Sequence, residues 1–170
     1  MNIPVRTKAP ANPVVSLEDL KLHLRVEGGD QDDLIKDLEV SAVSMLDGYR
    51  GELGRCIMEQ EWSVSFGEAG TFRLPFPDVS AVSAKDGAGN EVAASVAQDA
   101  LGSVVTIAAP ATVAMTIALP DDAIGMARIL VKMLVGHWFE NREAVITGTI
   151  STKLPLSAES LIERLRVSRL

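Results

Sequence analysis

The hydrophobic pattern of this chain changes period twice. From Ser16 to about Cys56, and again after Pro120, apolar residues recur every three or four positions, as along one face of a helix. Between Ile57 and Leu119 they alternate instead, and Lys and Arg become sparse while Val, Ala, Ser and Thr become frequent. A helical period cannot settle as a strand, nor an alternating one as a helix. The expected fold is therefore α+β, a four-helix core with an antiparallel β insert between helices 2 and 3. The expected boundaries are an arm over 1–15, helices 1 and 2 over 16–56, a β subdomain over 57–119, and helices 3 and 4 with a C-terminal tail over 120–170.

Residues 1–15 carry Pro4, Pro10 and Pro13 and read as an extended arm, either a frayed terminus or a segment that orders on a neighbouring subunit. Ser16 with Asp19 resembles a capping box and opens helix 1, whose inner face is Leu17, Leu20 and Leu24. The run Glu27-Gly28-Gly29-Asp30 ends it. Helix 2 starts over Asp30 to Asp33, where carboxylates complement the helix dipole. Its stripe is Leu34, Ile35, Leu38, Ala42, Met45, Leu46 and Tyr49. Asp121 is expected to cap helix 3 behind Pro120. The stripe Ile124, Ala127, Leu130, Leu134 and Trp138, widened by Val131 and Val135, marks a central helix. Ser157 is expected to cap helix 4, with Leu161, Ile162 and Leu165 inward.

In the β region, strands are expected over Glu61–Phe66, Thr71–Leu74, Val79–Ala84, Glu91–Ala97, Ser103–Ala108 and Thr112–Leu119, with a turn at Asp86-Gly87-Ala88-Gly89-Asn90. Ile146 to Thr152 is uncharged, β-branched and Gly-hinged, and reads as a loop or short hairpin.

Composition narrows the function classes. Apolar residues make up 47% of the 170 positions, enough for a normal core. The net charge of -7 disfavours tight nucleic-acid binding by the whole surface, yet suits a wall past which DNA slides without sticking. Cys56 is the single cysteine, so no intrachain disulfide forms, and one thiol is compatible with the cytosol. No secretory signal and no membrane span are expected, because the start lacks an apolar run and the longest such run is short.

No catalytic constellation assembles. His137 and Glu140 share a helix face, but two groups do not make a zinc site and His23 lies in another helix. Asp30, Asp32 and Asp33 mimic a calcium loop without its Gly and terminal Glu. No Gly-x-Ser-x-Gly elbow occurs, and Gly87-Ala88-Gly89 lacks the Lys of a phosphate loop. Cys56 beside Arg55 reads as a small core residue, with a lowered thiol pKa as the alternative. No metal or cofactor is expected, and no enzymatic activity.

What stands out instead is His137-Trp138-Phe139-Glu140-Asn141-Arg142-Glu143-Ala144. Aromatics and Arg carry most of the energy at protein interfaces. Trp138 and Phe139 point about 100° apart on a helix, so either one enters the core while the other faces outward, or both are core. On the interface reading, Trp138→Ala weakens assembly more than folding. The tail Arg164-Leu165-Arg166-Val167-Ser168-Arg169-Leu170 is locally basic and fits phosphate, or an acidic groove on a partner or the next subunit. The candidate subunit or partner interface is thus Trp138, Phe139, Arg142, Arg164, Arg166, Arg169 and Leu170.

Several stretches together resemble the head–tail connector (adaptor) proteins of long-tailed bacteriophages and gene transfer agents. They are the residues from Val15 to Val26, Asp32-Asp33-Leu34-Ile35, Gly136 to Ala144, and Leu154-Pro155-Leu156 before a short helix ending in Arg166-Val167. The helical ends carry the resemblance; the β insert matches in style and position. The resemblance implies a four-helix adaptor core and a ring of about twelve copies below the portal. Such a ring lengthens the DNA channel and docks a downstream tail or stopper protein. The C-terminal segment would contact the portal protein. The subunit would be made in the bacterial cytoplasm and sit in the virion neck. The competing readings are a DNA-handling component of a phage packaging machine, which needs a basic face, and a small enzyme of unknown class.

Overall fold

Ser16 opens the first helix by local chemistry: its Oγ accepts the Asp19 N–H at 3.1 Å. A computed structural model describes residues 3–141 and 154–167. In chain order the elements are β1 (Val5–Lys8), α1 (Leu17–Leu24), α2 (Asp32–Leu46), β2 (Gln60–Phe66), β3 (Gly70–Arg73), β4 (Val79–Lys85), β5 (Glu91–Val92), β6 (Ala94–Asp99), β7 (Gly102–Ile107), β8 (Ala111–Ile117), α3 (Asp121–Glu140) and α4 (Leu156–Leu165).

The helices bury one stripe each. Ala127, Leu130, Val131, Leu134, Val135 and Trp138 of α3 face Leu20 of α1, Ile35, Leu38, Ala42 and Leu46 of α2, and Ala158, Ile162 and Leu165 of α4 in one hydrophobic cluster. At about 1.5–3 kcal/mol for each large aliphatic side chain withdrawn from water, this stripe is the main support of the helical half. Two expected caps are displaced, by one residue at α3 and by two at α4. Pro120 and Pro155 occupy the N-cap positions, so Asp121 is the first residue of α3 rather than its cap, and Ser157 lies inside α4. Proline's fixed φ suits the entry, and Asp121 with Asp122 still places negative charge at the positive end of the dipole.

The β half has its own core, with Val64, Phe76, Val105, Val113, Met115 and Ile117 at its centre. All pairings are antiparallel. One sheet has the order β1-β2-β8-β4-β5, the other β3-β7-β6. Gln60 of β2 faces Ile117 of β8, and Phe66 faces Ala111. The stretch from Glu91 to Ala97, expected as one strand, is split at Ala93. Glu91 pairs with Lys85 in the first sheet, whereas Ala94 pairs with Ile107 in the second.

The expected architecture, a four-helix core with a β insert between helices 2 and 3, needs correction. The first sheet is not built from an insert alone: its edge strand β1 comes from the arm, ahead of α1, where Val5 pairs with Ser63 and Arg6 with Trp62. The described residues hold eight strands in two antiparallel sheets alongside four helices, with a mostly β arrangement in the middle. The physical reason is that β2 would otherwise present an unpaired edge, and the extended, Pro-punctuated arm supplies the ladder partner.

Among the described residues, no helix is long and apolar enough to cross a membrane.

Candidate functional site

The segment after α2 joins the helical half to the sheets, and three polar groups fasten it. Asp47, the C-cap of α2, accepts the Ile57 N–H at 2.7 Å through Oδ1 and Gln60 Nε2 at 2.9 Å through Oδ2. Gln60 in turn accepts the Trp62 indole N–H at 3.0 Å. Burial pushes the Asp47 carboxyl above its usual range, while the bonds from Gln60 and Ile57 and the Arg6 charge pull it back. Arg55 grips Asp78 at two points, Nε to Oδ2 at 2.6 Å and Nη2 to Oδ1 at 2.7 Å. Its Nη1 donates to the Leu165 carbonyl at 3.3 Å, and Val167 N–H donates to the Leu53 carbonyl at 3.1 Å. The end of α4 is thereby tied to the turn after α2.

This junction shapes an open polar cleft of about 530 Å³ lined by Arg50, Gly51, Glu52, Gly54, Glu163, Arg166 and Val167. Gly51 is required by space: a Cβ there would stand 2.3 Å from the Leu46 carbonyl oxygen. Of the expected interface residues, Arg166 lies at this cleft and Arg164 is exposed on the last turn of α4. Arg50 joins them from a turn that the sequence pattern did not single out.

The aromatic stretch behaves differently. Trp138 is 8% exposed and belongs to the helical core, and Phe139 packs half-buried against the same cluster. Trp138 thus takes a core position, while Phe139 keeps part of its ring exposed at the edge of the cluster. The Asn141 backbone N–H and side-chain Nδ2 both donate to the His137 carbonyl, at 3.1 and 2.8 Å, ending α3. Arg142, Arg169 and Leu170 lie outside the described residues, as does the stretch from Ile146 to Thr152 that was expected as a loop or short hairpin.

On the other side of the junction, an apolar groove of about 560 Å³ runs between β1 and the end of α2. Ile3, Val5, Val43, Tyr49 and Trp62 form its apolar wall, with Arg6, Asp47 and Arg50 beside them.

The other motifs are structural. Glu39 is buried at 6% exposure and accepts the Val14 and Val15 N–H groups at 3.0 and 3.4 Å, pinning the arm to α2. Burial raises its carboxyl, and the two backbone bonds oppose that rise. Asp32, from the calcium-like run, pairs with Lys21 at 2.7 Å. Cys56 is fully buried, and burial together with the Asp47 and Asp78 charges pushes its thiol well up, the opposite of an activated nucleophile.

No protein-family model matches the sequence. No curated protein matches it either. Among solved structures, the fold is similar to that of a chain from the neck of an empty GTA (gene transfer agent) particle computed with C6 symmetry. The TM-score is 0.68 over 99% of this chain and 97% of that one, at 16% identity. The likeness is one of fold, and it runs through both the helical and the β halves.

Proposed function

We propose that this chain is a structural subunit of a head–tail neck, an adaptor that forms a ring below the portal, extends the DNA channel and docks the tail. The observation that supports it most is the end-to-end likeness of fold to a chain of a particle neck. The subunit acts by shape and turns over no substrate.

Charge fits that role. A surface of net charge -7 repels phosphate, so DNA passes through the lumen without being gripped. Exposed Glu18, Asp19, Asp30 and Asp33 lie around α1 and the start of α2, whereas Arg164 and Arg166 are exposed at the end of α4, beside exposed Glu163. Pairing of these arginines with carboxylates of a neighbouring copy favours head-to-tail contacts, which close into rings of about twelve copies when the rotation permits. On this reading Arg164 and Arg166, with Arg169 and Leu170 beyond them, face the portal or the next subunit.

Electron micrographs of the purified chain with and without the matching portal protein test the proposal. Rings, free or seated on the portal, are expected. A chain that stays monomeric in both samples, or that consumes a substrate, overturns it.

A further inference from the structure

The apolar groove between β1 and the end of α2 has the composition of a protein-binding surface. Val43, Tyr49 and Trp62 line it half-buried, and Ile3 and Val5 stand beside them 63% and 61% exposed. Arg6 and Arg50, both exposed, flank these apolar groups. Aromatic rings and arginines are the residues that protein interfaces favour. Asp47, the carboxylate among the groove's described lining residues, is engaged by the Ile57 N–H and the Gln60 amide. The two arginines therefore set the sign of the partner: an apolar knob flanked by carboxylates. The neighbouring cleft shares Arg50 but is mixed in charge, with Glu52 and Glu163 beside Arg166.

The chain itself carries such a knob. Leu22 of α1 is 79% exposed, so it fills no groove of its own chain. Glu18 and Asp19 stand four and three residues before it, exposed on the same helix face. Exposed Arg25 follows at the C-cap, so the acidic part of this face is its first turn. The other exposed large apolar residues fit less well. Val40 lies on α2, one turn before Ser44 of the groove, and extends the hollow rather than filling it. Ile129 has Arg128 and Lys132 as neighbours, which carry the same charge as the groove. Leu101 stands near Asp99, whose carboxylate Arg73 already holds. Leu156 has one carboxylate within a turn, Glu159, where Leu22 has two.

We propose that the outer face of α1 of one copy docks in the groove of the next copy, with Leu22 against the apolar wall and Glu18 and Asp19 meeting Arg6 and Arg50. Knob and groove are different surfaces, and every copy carries one of each. The contact is therefore head-to-tail, the kind that closes into a ring. The inference rests on the ring reading.

The test mixes two full-length single variants, Val5→Cys and Leu22→Cys, under ring-forming conditions with mild oxidation; the native Cys56 is buried. A disulfide-linked dimer containing one of each variant is expected, since bonding needs Cβ atoms within about 4.5 Å. A parallel mixture of Val5→Cys with Leu156→Cys is expected to give none. Leu22→Asp, a change at an exposed position, is expected to lower the ring fraction about tenfold with unchanged thermal unfolding. Rings that form normally with Leu22→Asp, or rings of the two cysteine variants that yield no mixed dimer, overturn this inference and leave the ring reading intact. A link from Val5→Cys to Leu156→Cys, or between two copies of Val5→Cys, assigns the groove another occupant and likewise overturns it. Failure of the unmodified chain to form rings, alone or on the portal, overturns both.

Discussion

Arg55 and Asp78 form a two-point ion pair that is 16% and 12% exposed, and the same guanidinium donates to the carbonyl of Leu165, 110 residues further on. One side chain thus joins the turn after α2, the approach to β4 and the end of α4. Arg55→Ala leaves a nearly buried carboxylate unpaired, and a loss of about 3 kcal/mol in unfolding free energy is expected. Arg55→Lys keeps the charge but only one of the contacts, so it recovers less than half of that loss. Urea unfolding of the three proteins, monitored by tryptophan fluorescence, checks the order.

Glu39 supplies a pH test. Its carboxyl is raised above the ordinary 4.5, and that of Asp47 above 3.8, in both cases first by burial. A raised carboxyl binds its proton more tightly in the folded state. Its stabilising contribution is therefore full below the ordinary value and is lost as pH rises through the raised one. Glu39→Gln keeps an acceptor for Val14 and Val15 without the buried charge, so it is expected to match or exceed the parent at neutral pH and to flatten the fall in stability with rising pH. Glu39→Ala strands two buried N–H groups and costs about 1–3 kcal/mol. Thermal unfolding between pH 4 and 8, a window spanning roughly the carboxylate range, distinguishes them.

Gly51→Ala tests the turn beneath the charged cleft. The new methyl meets the Leu46 and Asp47 carbonyl oxygens at 2.3 and 2.4 Å, so backbone must shift. A loss of about 1–3 kcal/mol is expected. Glycine at 87, whose Cβ position has nothing within 4 Å, is the control and tolerates alanine within about 0.5 kcal/mol.

Trp138 and Arg166 separate folding from assembly. Trp138→Ala empties a core site and is expected to cost about 3–5 kcal/mol of stability, shifting its main effect from assembly to folding. Arg164→Glu with Arg166→Glu changes exposed charges and is expected to alter stability by less than about 0.5 kcal/mol while reducing ring formation or portal binding. Chemical denaturation and sedimentation on the same samples read the two effects independently.

Much of this was legible in the residues. Ser16 with Asp19, the apolar stripe from Ala127 to Trp138, and the turn at Asp86 to Asn90 are local signals, and the structure reproduces them because local chemistry decides them. β1 was not legible. Val5-Arg6-Thr7-Lys8 has one apolar residue among prolines, and becomes a strand only because β2 offers an edge. The split at Ala93 was hidden for a similar reason: both strands alternate, and only the arrangement of two sheets makes the chain change partners there. The polar fasteners at Arg55, Glu39 and Asp47 join residues 10 to 110 positions apart, a distance no periodicity reports. At the candidate site, the basic tail pointed to Arg164 and Arg166, both exposed, whereas the placement of the two aromatics could not be read from their spacing. Adjacent helix positions leave the choice between core and surface to the neighbouring helices, which here bury Trp138 and cover Phe139 in part.

The most direct measurement is to image particles that carry this subunit with a small density-adding label fused after Leu170. A ring of labels between head and tail is the predicted result. Particles with a complete, symmetric neck and no label there would contradict the account.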